Sequence, residues 1–223
     1  LPDNASPRTF PYATLGDSDA LKTGDYVLAM GNPLLLSSSV TLGIVSNPRR
    51  VFVNPVNSEI EGAEFEQGDR SGTLTRWIQH DALILPGNSG GPLVNLKGEV
   101  VGINQLGGSG LGFAIPSRIA KRVLAQVLTK GTVERGWLGF QAMPVDKLKR
   151  TTGVLVGSIL PESSAERAGL KPGDIVLSID GKPTNARFAE EIPLIYQLIA
   201  DLPIGKTVAV EIERQGTHQT LRL

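Results

Sequence analysis

The sequence contains no cysteine. That excludes disulfides, thiol catalysis and cysteine-ligated zinc, and it suits an oxidising or a reducing compartment equally. Aromatic residues are scarce at 5%, and no run of about 18 apolar residues occurs, so nothing reads as a membrane-spanning helix. A net charge is lacking too: 22 basic and 22 acidic residues balance. With no excess of one sign, there is no general pull toward nucleic acid or an anionic membrane. Histidine, the commonest general base, occurs only twice, as His80 and His218. The chain opens Leu1-Pro2-Asp3-Asn4 with neither an initiator methionine nor a basic-then-apolar leader. This leads us to expect that an upstream part has been removed or left out.

What is present is ordinary globular material. The 223 residues are 40% hydrophobic, enough for two domains or one large β domain. The first half predicts short strands between glycine turns: Tyr26 to Met30, Val40 to Val45, Trp77 to Gln79, and a hairpin from Leu93 to Ile103 turning at Lys97-Gly98. The polar stretch from Asn47 to Thr75 predicts a long loop or loose hairpin. Many short strands of this kind build a barrel or a sandwich. At Pro116-Ser117 the period changes: Ile119, Val123, Val127 and Leu128 predict a helix capped by Ser117 and ended by Gly131. Beyond it come predicted strands at Gly153 to Val156, Asp174 to Ile179, Thr207 to Ile212 and Gln219 to Leu223. A further helix is predicted from Pro193 to Asp201.

Gly87-Asn88-Ser89-Gly90-Gly91-Pro92-Leu93 is the sharpest chemical signal. A serine that attacks a carbonyl needs its hydroxyl on a tight, exposed turn. It also needs backbone N–H groups aimed at the oxygen that becomes negative. Glycines on both sides permit that turn and a close approach of substrate. The N–H groups of Gly87 and Ser89 are the expected oxyanion donors, with Asn88 between them. An ordinary glycine-rich turn would look similar in isolation. The surroundings narrow the choice: Gln79-His80-Asp81-Ala82 lies upstream, and Gly98-Glu99-Val100-Val101-Gly102-Ile103-Asn104 and Gly112-Phe113-Ala114-Ile115-Pro116-Ser117 follow. With Leu15 to Asp19 and Ala29-Met30-Gly31-Asn32-Pro33, these stretches resemble the HtrA (Deg) family of serine endopeptidases in order and spacing.

The resemblance implies a mainly β fold: the second β-barrel of a trypsin-like protease, its first barrel largely missing, followed by an α+β PDZ domain. The expected boundaries are residues 1–130 for the protease part and 135–223 for the PDZ domain. Ser89 matches the nucleophile, with Gly87 and Asn88 in the oxyanion-hole loop. Ile84, Leu85 and Pro86 match the wall of the primary specificity pocket. Ile103, Asn104 and Gln105 match the strand that pairs with substrate backbone. Family members usually carry a small residue at the Leu83 position and a polar one at the Leu85 position. The added apolar bulk predicts a preference for a small aliphatic residue before the scissile bond.

A serine nucleophile also needs a base, and the base an orienting acid. His80 stands nine residues before Ser89, where the family carries a small polar residue, and is expected to be a packing histidine. His218 lies in the polar turn Gln215-Gly216-Thr217-His218 and is expected to be solvated. In the family the catalytic histidine and aspartate belong to the first barrel, so this sequence is expected to hold half of an active site and to be inactive alone.

Arg135-Gly136-Trp137-Leu138-Gly139-Phe140 and the run from Ser158 through Ala168-Gly169-Leu170-Lys171-Pro172-Gly173-Asp174 to Val176 resemble a PDZ domain. The resemblance implies that Trp137, Leu138, Gly139 and Phe140 grip a peptide carboxylate, with Ile195 and Leu198 (or Ile199) on the neighbouring helix facing the peptide. The implied function is cleavage of unfolded or misfolded proteins in a bacterial periplasm or cell envelope. Peptide C-termini would dock at the PDZ domain, the full-length protein would be a homotrimer, and no metal or cofactor would take part. The competing reading is an inactive pseudoprotease that serves as a peptide-binding scaffold.

Overall fold

A computed structural model of the chain describes residues 10–33, 39–52, 63–64, 70–71, 74–108 and 110–223. They divide into two compact units. One holds residues up to 48 together with 77–122; the other holds 49–76 and 123–223. The dividing point falls within the helix predicted after Pro116.

In chain order the first strands are β1 (Tyr26–Gly31), β2 (Ser39–Arg50), the short ribbon β3 (Ala63–Glu64) and β4 (Arg70–Ser71), β5 (Trp77–His80), β6 (Pro92–Asn95), β7 (Val100–Gly108) and β8 (Leu111–Pro116). Six of them close on themselves in the order β1-β2-β5-β8-β7-β6. The choice between barrel and sandwich thus resolves to a barrel, which leaves no free sheet edge along the closed path. Strand alternation sends Val27 and Ala29, Val45, Ile78, Leu93, Val101 and Ala114 inward, where they form one buried core. The predicted hairpin turn is present: Gly98 N–H donates to the Asn95 carbonyl at 3.0 Å, at a positive φ of 79°. Of the long polar stretch, β2 takes the start and the β3–β4 ribbon the middle; residues 53–62, 65–69 and 72–73 lie outside the described residues.

Helix α1 (Ser117–Lys130) follows the barrel, as the periodicity predicts. Its cap differs from expectation. Ser117 is inside the helix, with its hydroxyl donating to the Gly16 carbonyl at 2.9 Å. The first-turn N–H of Arg118 is received by Ser18 at 3.2 Å, from a segment about a hundred residues earlier in the chain. A local cap motif cannot reveal a partner that the tertiary fold supplies.

The second unit continues with β9 (Phe140–Met143), β10 (Val154–Ile159), α2 (Ser164–Arg167), β11 (Ile175–Ile179), β12 (Lys182–Pro183), α3 (Ile192–Ala200), β13 (Ala209–Arg214) and β14 (Thr217–Arg222). The sheet order is β14-β13-β11-β10-β9, with β12 beside β11. That leaves β9 at an edge. Val154, Val156, Val176, Ile179, Val210 and Ile212 on the sheet pack with Ile192, Ile195 and Ile199 of α3 in a core of its own.

One ion pair ties this sheet to the turn before β11. Asp174 is 2% exposed and accepts from Arg214 Nε at 2.7 Å, from Arg214 Nη2 at 2.6 Å and from the Lys171 N–H at 2.8 Å. Burial alone would raise the Asp174 carboxyl, but these donors offset it and hold the group below its ordinary range. The stabilisation is therefore present above the unfolded value of 3.8 and is lost as the pH falls through the lower, folded value. Asp174→Ala should cost about 1.5–3 kcal/mol at pH 7, the guanidinium being partly solvated. In urea melts at pH 7 and pH 2, the gap between variant and parent should be wide at the first and narrow at the second.

Candidate active site and peptide groove

Two tight turns in succession place Ser89. In the first, the Asn88 N–H donates to the Leu85 carbonyl at 3.0 Å across Pro86 and Gly87. In the second, the Gly91 N–H donates to the Asn88 carbonyl at 2.9 Å across Ser89 and Gly90. Gly87 and Gly90 take the third place of each turn at φ 105° and 85°, a conformation that side chains oppose. The chain end of β1 is pressed against the first turn: the Asn32 N–H donates to the Gly87 carbonyl at 3.2 Å, and a side chain at Gly31 would collide with buried Asn88. Ser89 thus stands exposed at a corner that the backbone itself has built.

The orientation of the Ser89 amide follows from peptide planarity. Its partner carbonyl, that of Asn88, is drawn toward Gly91, so the Ser89 N–H points the opposite way. The Ser89 hydroxyl donates to the Gln105 carbonyl at 3.0 Å.

The strand expected to pair with substrate is largely occupied. Ile103 lies between Pro92 of β6 and Ile115 of β8. Asn104 is fully buried: its N–H donates to the Gly91 carbonyl at 2.9 Å and its carbonyl accepts from Gly90 at 2.7 Å. Its side-chain amide donates to the Pro92 carbonyl at 3.1 Å. Asn104 therefore braces the nucleophile turn, in place of the substrate-pairing expected of it. Only Gln105, at an irregularity in the β7–β8 register, lies next to Ser89. The reason is barrel closure, which pairs β7 on both sides. Ile84, expected in the specificity wall, is buried in the barrel core; Leu85 is half-buried, and Leu83 and Pro86 are exposed.

His80 is fully buried on β5, its ring lying over Gly112 of β8 so closely that any side chain there would collide with it. Among the described residues neither ring nitrogen has a hydrogen-bond partner, Ser89 included. Burial lowers its pKa from the ordinary 6.5, although the nearby Asn104 side chain, the Ala82 backbone and the Asp81 charge pull the other way. His218 is exposed, 3.7 Å from the Glu213 carboxylate.

In the second unit, peptide planarity orients the loop before β9. The Leu138 carbonyl accepts from the Ala165 N–H at 2.9 Å and the Ser164 hydroxyl at 3.0 Å. The Gly139 carbonyl accepts from the Leu160 N–H at 2.9 Å. With both carbonyls turned into the domain, the N–H groups of Gly139 and Phe140 are turned out. They open onto a groove of about 480 Å³ that Trp137, Phe140, Ile159, Tyr196, Ile199 and Leu74 help to line. Leu138 itself is buried and serves through its backbone.

The helix side of the groove takes Ile199, the alternative to Leu198, but neither Ile195 nor Leu198. Ile195 is 3% exposed within the domain core, and Leu198 is half-buried against that core. The groove takes Tyr196, Ile199 and Ala200, the face one residue round the helix. Several lining residues escaped sequence reasoning, Ile159, Tyr196 and Leu74 among them. Ile159 and Tyr196 carried only their apolar or aromatic character. Leu74, whose carbonyl accepts from the Gln197 side chain at 2.6 Å, comes from far upstream and carried no signal at all.

Because burial lowers the pKa of His80 in the fold, the unfolded chain takes up a proton there more readily than the folded one. Stability should fall as the pH drops below the unfolded value of 6.5, by at most about 1.4 kcal/mol per pH unit from this group. His80→Gln should flatten that dependence between pH 7 and pH 5, as read from urea midpoints of the two chains.

Comparison with known proteins agrees with this geometry. Residues 4–103 match the model of a trypsin-like peptidase domain and residues 126–194 that of a PDZ domain. The chain is 36% identical over 231 residues to the periplasmic serine endoprotease DegP of Escherichia coli K12, covering 98% of this chain and 44% of that protein. It is 37% identical over 219 residues to a probable DegP-like endoprotease of Chlamydia trachomatis, covering 92% of this chain and 40% of that protein. The chain thus spans about two fifths of the length of these curated relatives. The structure of an HtrA-type protease, AlgW with a tripeptide, superposes with a TM-score of 0.76 at 32% identity, over 98% of this chain and 70% of that one. A barrel with a serine at a doubled glycine turn, then a sheet with an outward-facing amide loop at its edge, are the two parts in question, and the chain belongs to the HtrA family.

Proposed function

We propose that this chain is the nucleophile-bearing and peptide-capturing part of a serine endopeptidase that cleaves unfolded or misfolded proteins. The observation that carries the reading is Ser89 at the corner of two consecutive tight turns, pinned from behind by Asn104 and from the side by Asn32. In the reaction the Ser89 hydroxyl would attack the scissile carbonyl. The Ser89 and Gly87 amides would hold the resulting oxyanion, and an acyl-enzyme would form as the amine leaves. Asn88 sets the turn between the two donors, and Gln105 lies where a substrate backbone would reach. Leu85, with Leu83 and Pro86, would border a pocket for a small aliphatic side chain. On this reading the histidine and aspartate of the triad would lie outside these 223 residues; a buried His80 with no hydrogen bond to Ser89 and an exposed His218 beside Glu213 support it.

The chain alone would therefore be inert as a protease. The Gly139 and Phe140 amides would capture a peptide C-terminus, a role supported by the AlgW structures with a tripeptide and a decapeptide. The relatives named periplasmic support a place in the bacterial periplasm or envelope. The homotrimer proposed for the full-length protein rests on the family resemblance alone. The second reading, an inactive peptide-binding scaffold, draws on one observation: the Ser89 hydroxyl is engaged by a carbonyl and not by a base.

In the longer protein, Ser89→Ala should remove casein cleavage by several orders of magnitude, and substantial residual turnover would refute the nucleophile. For capture, matched peptides ending in a hydrophobic residue, one a free acid and the other an amide, should be titrated into the 223-residue chain. The acid should bind at about micromolar strength and the amide about 1.5–3 kcal/mol more weakly. Equal affinities would remove the carboxylate assignment.

A further inference from the structure

A bound peptide would run toward the loop that holds its carboxylate, while β9 runs away from that loop, so the two would pair antiparallel. The last peptide residue would then face Phe140, and the residue two before it would face Ala142. Phe140 and Ala142 are both buried on one face of β9, and a strand turns the backbone groups of alternate residues to the same side. β9 is the sheet edge, so that side is the groove.

The Ala142 position is already taken. Its N–H donates to the hydroxyl of Tyr196 on α3 at 3.0 Å. Tyr196 also lines the groove, between the edge strand and the face formed with Ile199 and Ala200. The phenol oxygen stands where the carbonyl of the third residue from a peptide's end would have to sit. An N–H donates to one good acceptor at a time, so the phenol and a peptide carbonyl exclude each other there.

We propose that Tyr196 is a positioning residue that sets how far a captured peptide zips onto β9: the phenol must leave Ala142 before the third residue from the end can pair. This rests on the peptide-capture reading above and adds a specificity rule to it. The first contacts, made by the terminal carboxylate and the last side chain, are open as the groove stands. Pairing beyond the second residue displaces the phenol and forfeits its hydrogen bond. Long ligands therefore gain less over short ones than an uncapped edge would give them.

The test uses the full 223-residue chain and its Tyr196→Phe variant, which keeps the ring and removes only the hydroxyl. A dipeptide free acid has no carbonyl opposite Ala142; a hexapeptide with the same two terminal residues has one. Tyr196→Phe should tighten hexapeptide binding by about 5–10-fold and leave dipeptide binding within about twofold. In the unliganded chain, hydrogen exchange at the Ala142 amide should quicken in the variant. Unchanged or weaker hexapeptide binding would overturn the proposal, even with faster exchange, because the bond would then exist without gating. Equal tightening for both peptides would overturn it as well, pointing to a wider groove. If no free acid binds either chain, the capture reading falls and takes this inference with it.

Discussion

The barrel wall depends on one constraint: every backbone N–H and carbonyl inside it must find a partner. At Gly90 and Gly91 the chain leaves the regular ladder to make a turn, and Asn104 supplies what the ladder no longer can. Its N–H, its carbonyl and its side-chain amide all go to the three residues that follow Ser89. The site's position is therefore a consequence of satisfying the sheet. The same demand explains why β7 offers so little to a substrate, since a strand paired on both sides has no spare edge.

In the second unit the constraint works in reverse. A sheet edge leaves amides unpaired, and the fold uses them. The Leu138 and Gly139 carbonyls are tied inward, and planarity sends the following amides outward, where the proposed reading gives them a peptide carboxylate in a groove that Arg135 also lines. Further along the same edge the unpaired amide of Ala142 is covered by a side chain, that of Tyr196. Exposed edges are a hazard for unwanted strand pairing, so a reversible cover also serves the free domain.

Much of this was legible in the residues. Gly87 to Pro92 announced a serine on a glycine turn, and the switch from strand to helical spacing at Pro116 located α1 within a residue. The packing role expected of His80 rested on the resemblance, which carries a small polar residue at that position, and the side chain is buried. What stayed hidden depends on contacts between distant segments. Ser18 capping α1, Asn104 bracing the turn, and Leu74 in the groove all bring together segments that no local pattern links. The assignment of Ile195 and Leu198 to the groove failed for a smaller reason. On an apolar helix, two adjacent faces look alike in sequence, and only packing decides that Ile195 goes to the core and Tyr196 to the peptide side.

The central claim is that Ser89 is positioned by this chain but activated by residues outside it. Intact-mass measurement after treating the 223-residue chain with a fluorophosphonate tests it directly, with the Ser89→Ala chain as control. The account predicts no adduct beyond that of the control at neutral pH. An adduct that requires Ser89, and whose rate rises with pH through the histidine range, would mean that a base within this chain serves the nucleophile, and would contradict it.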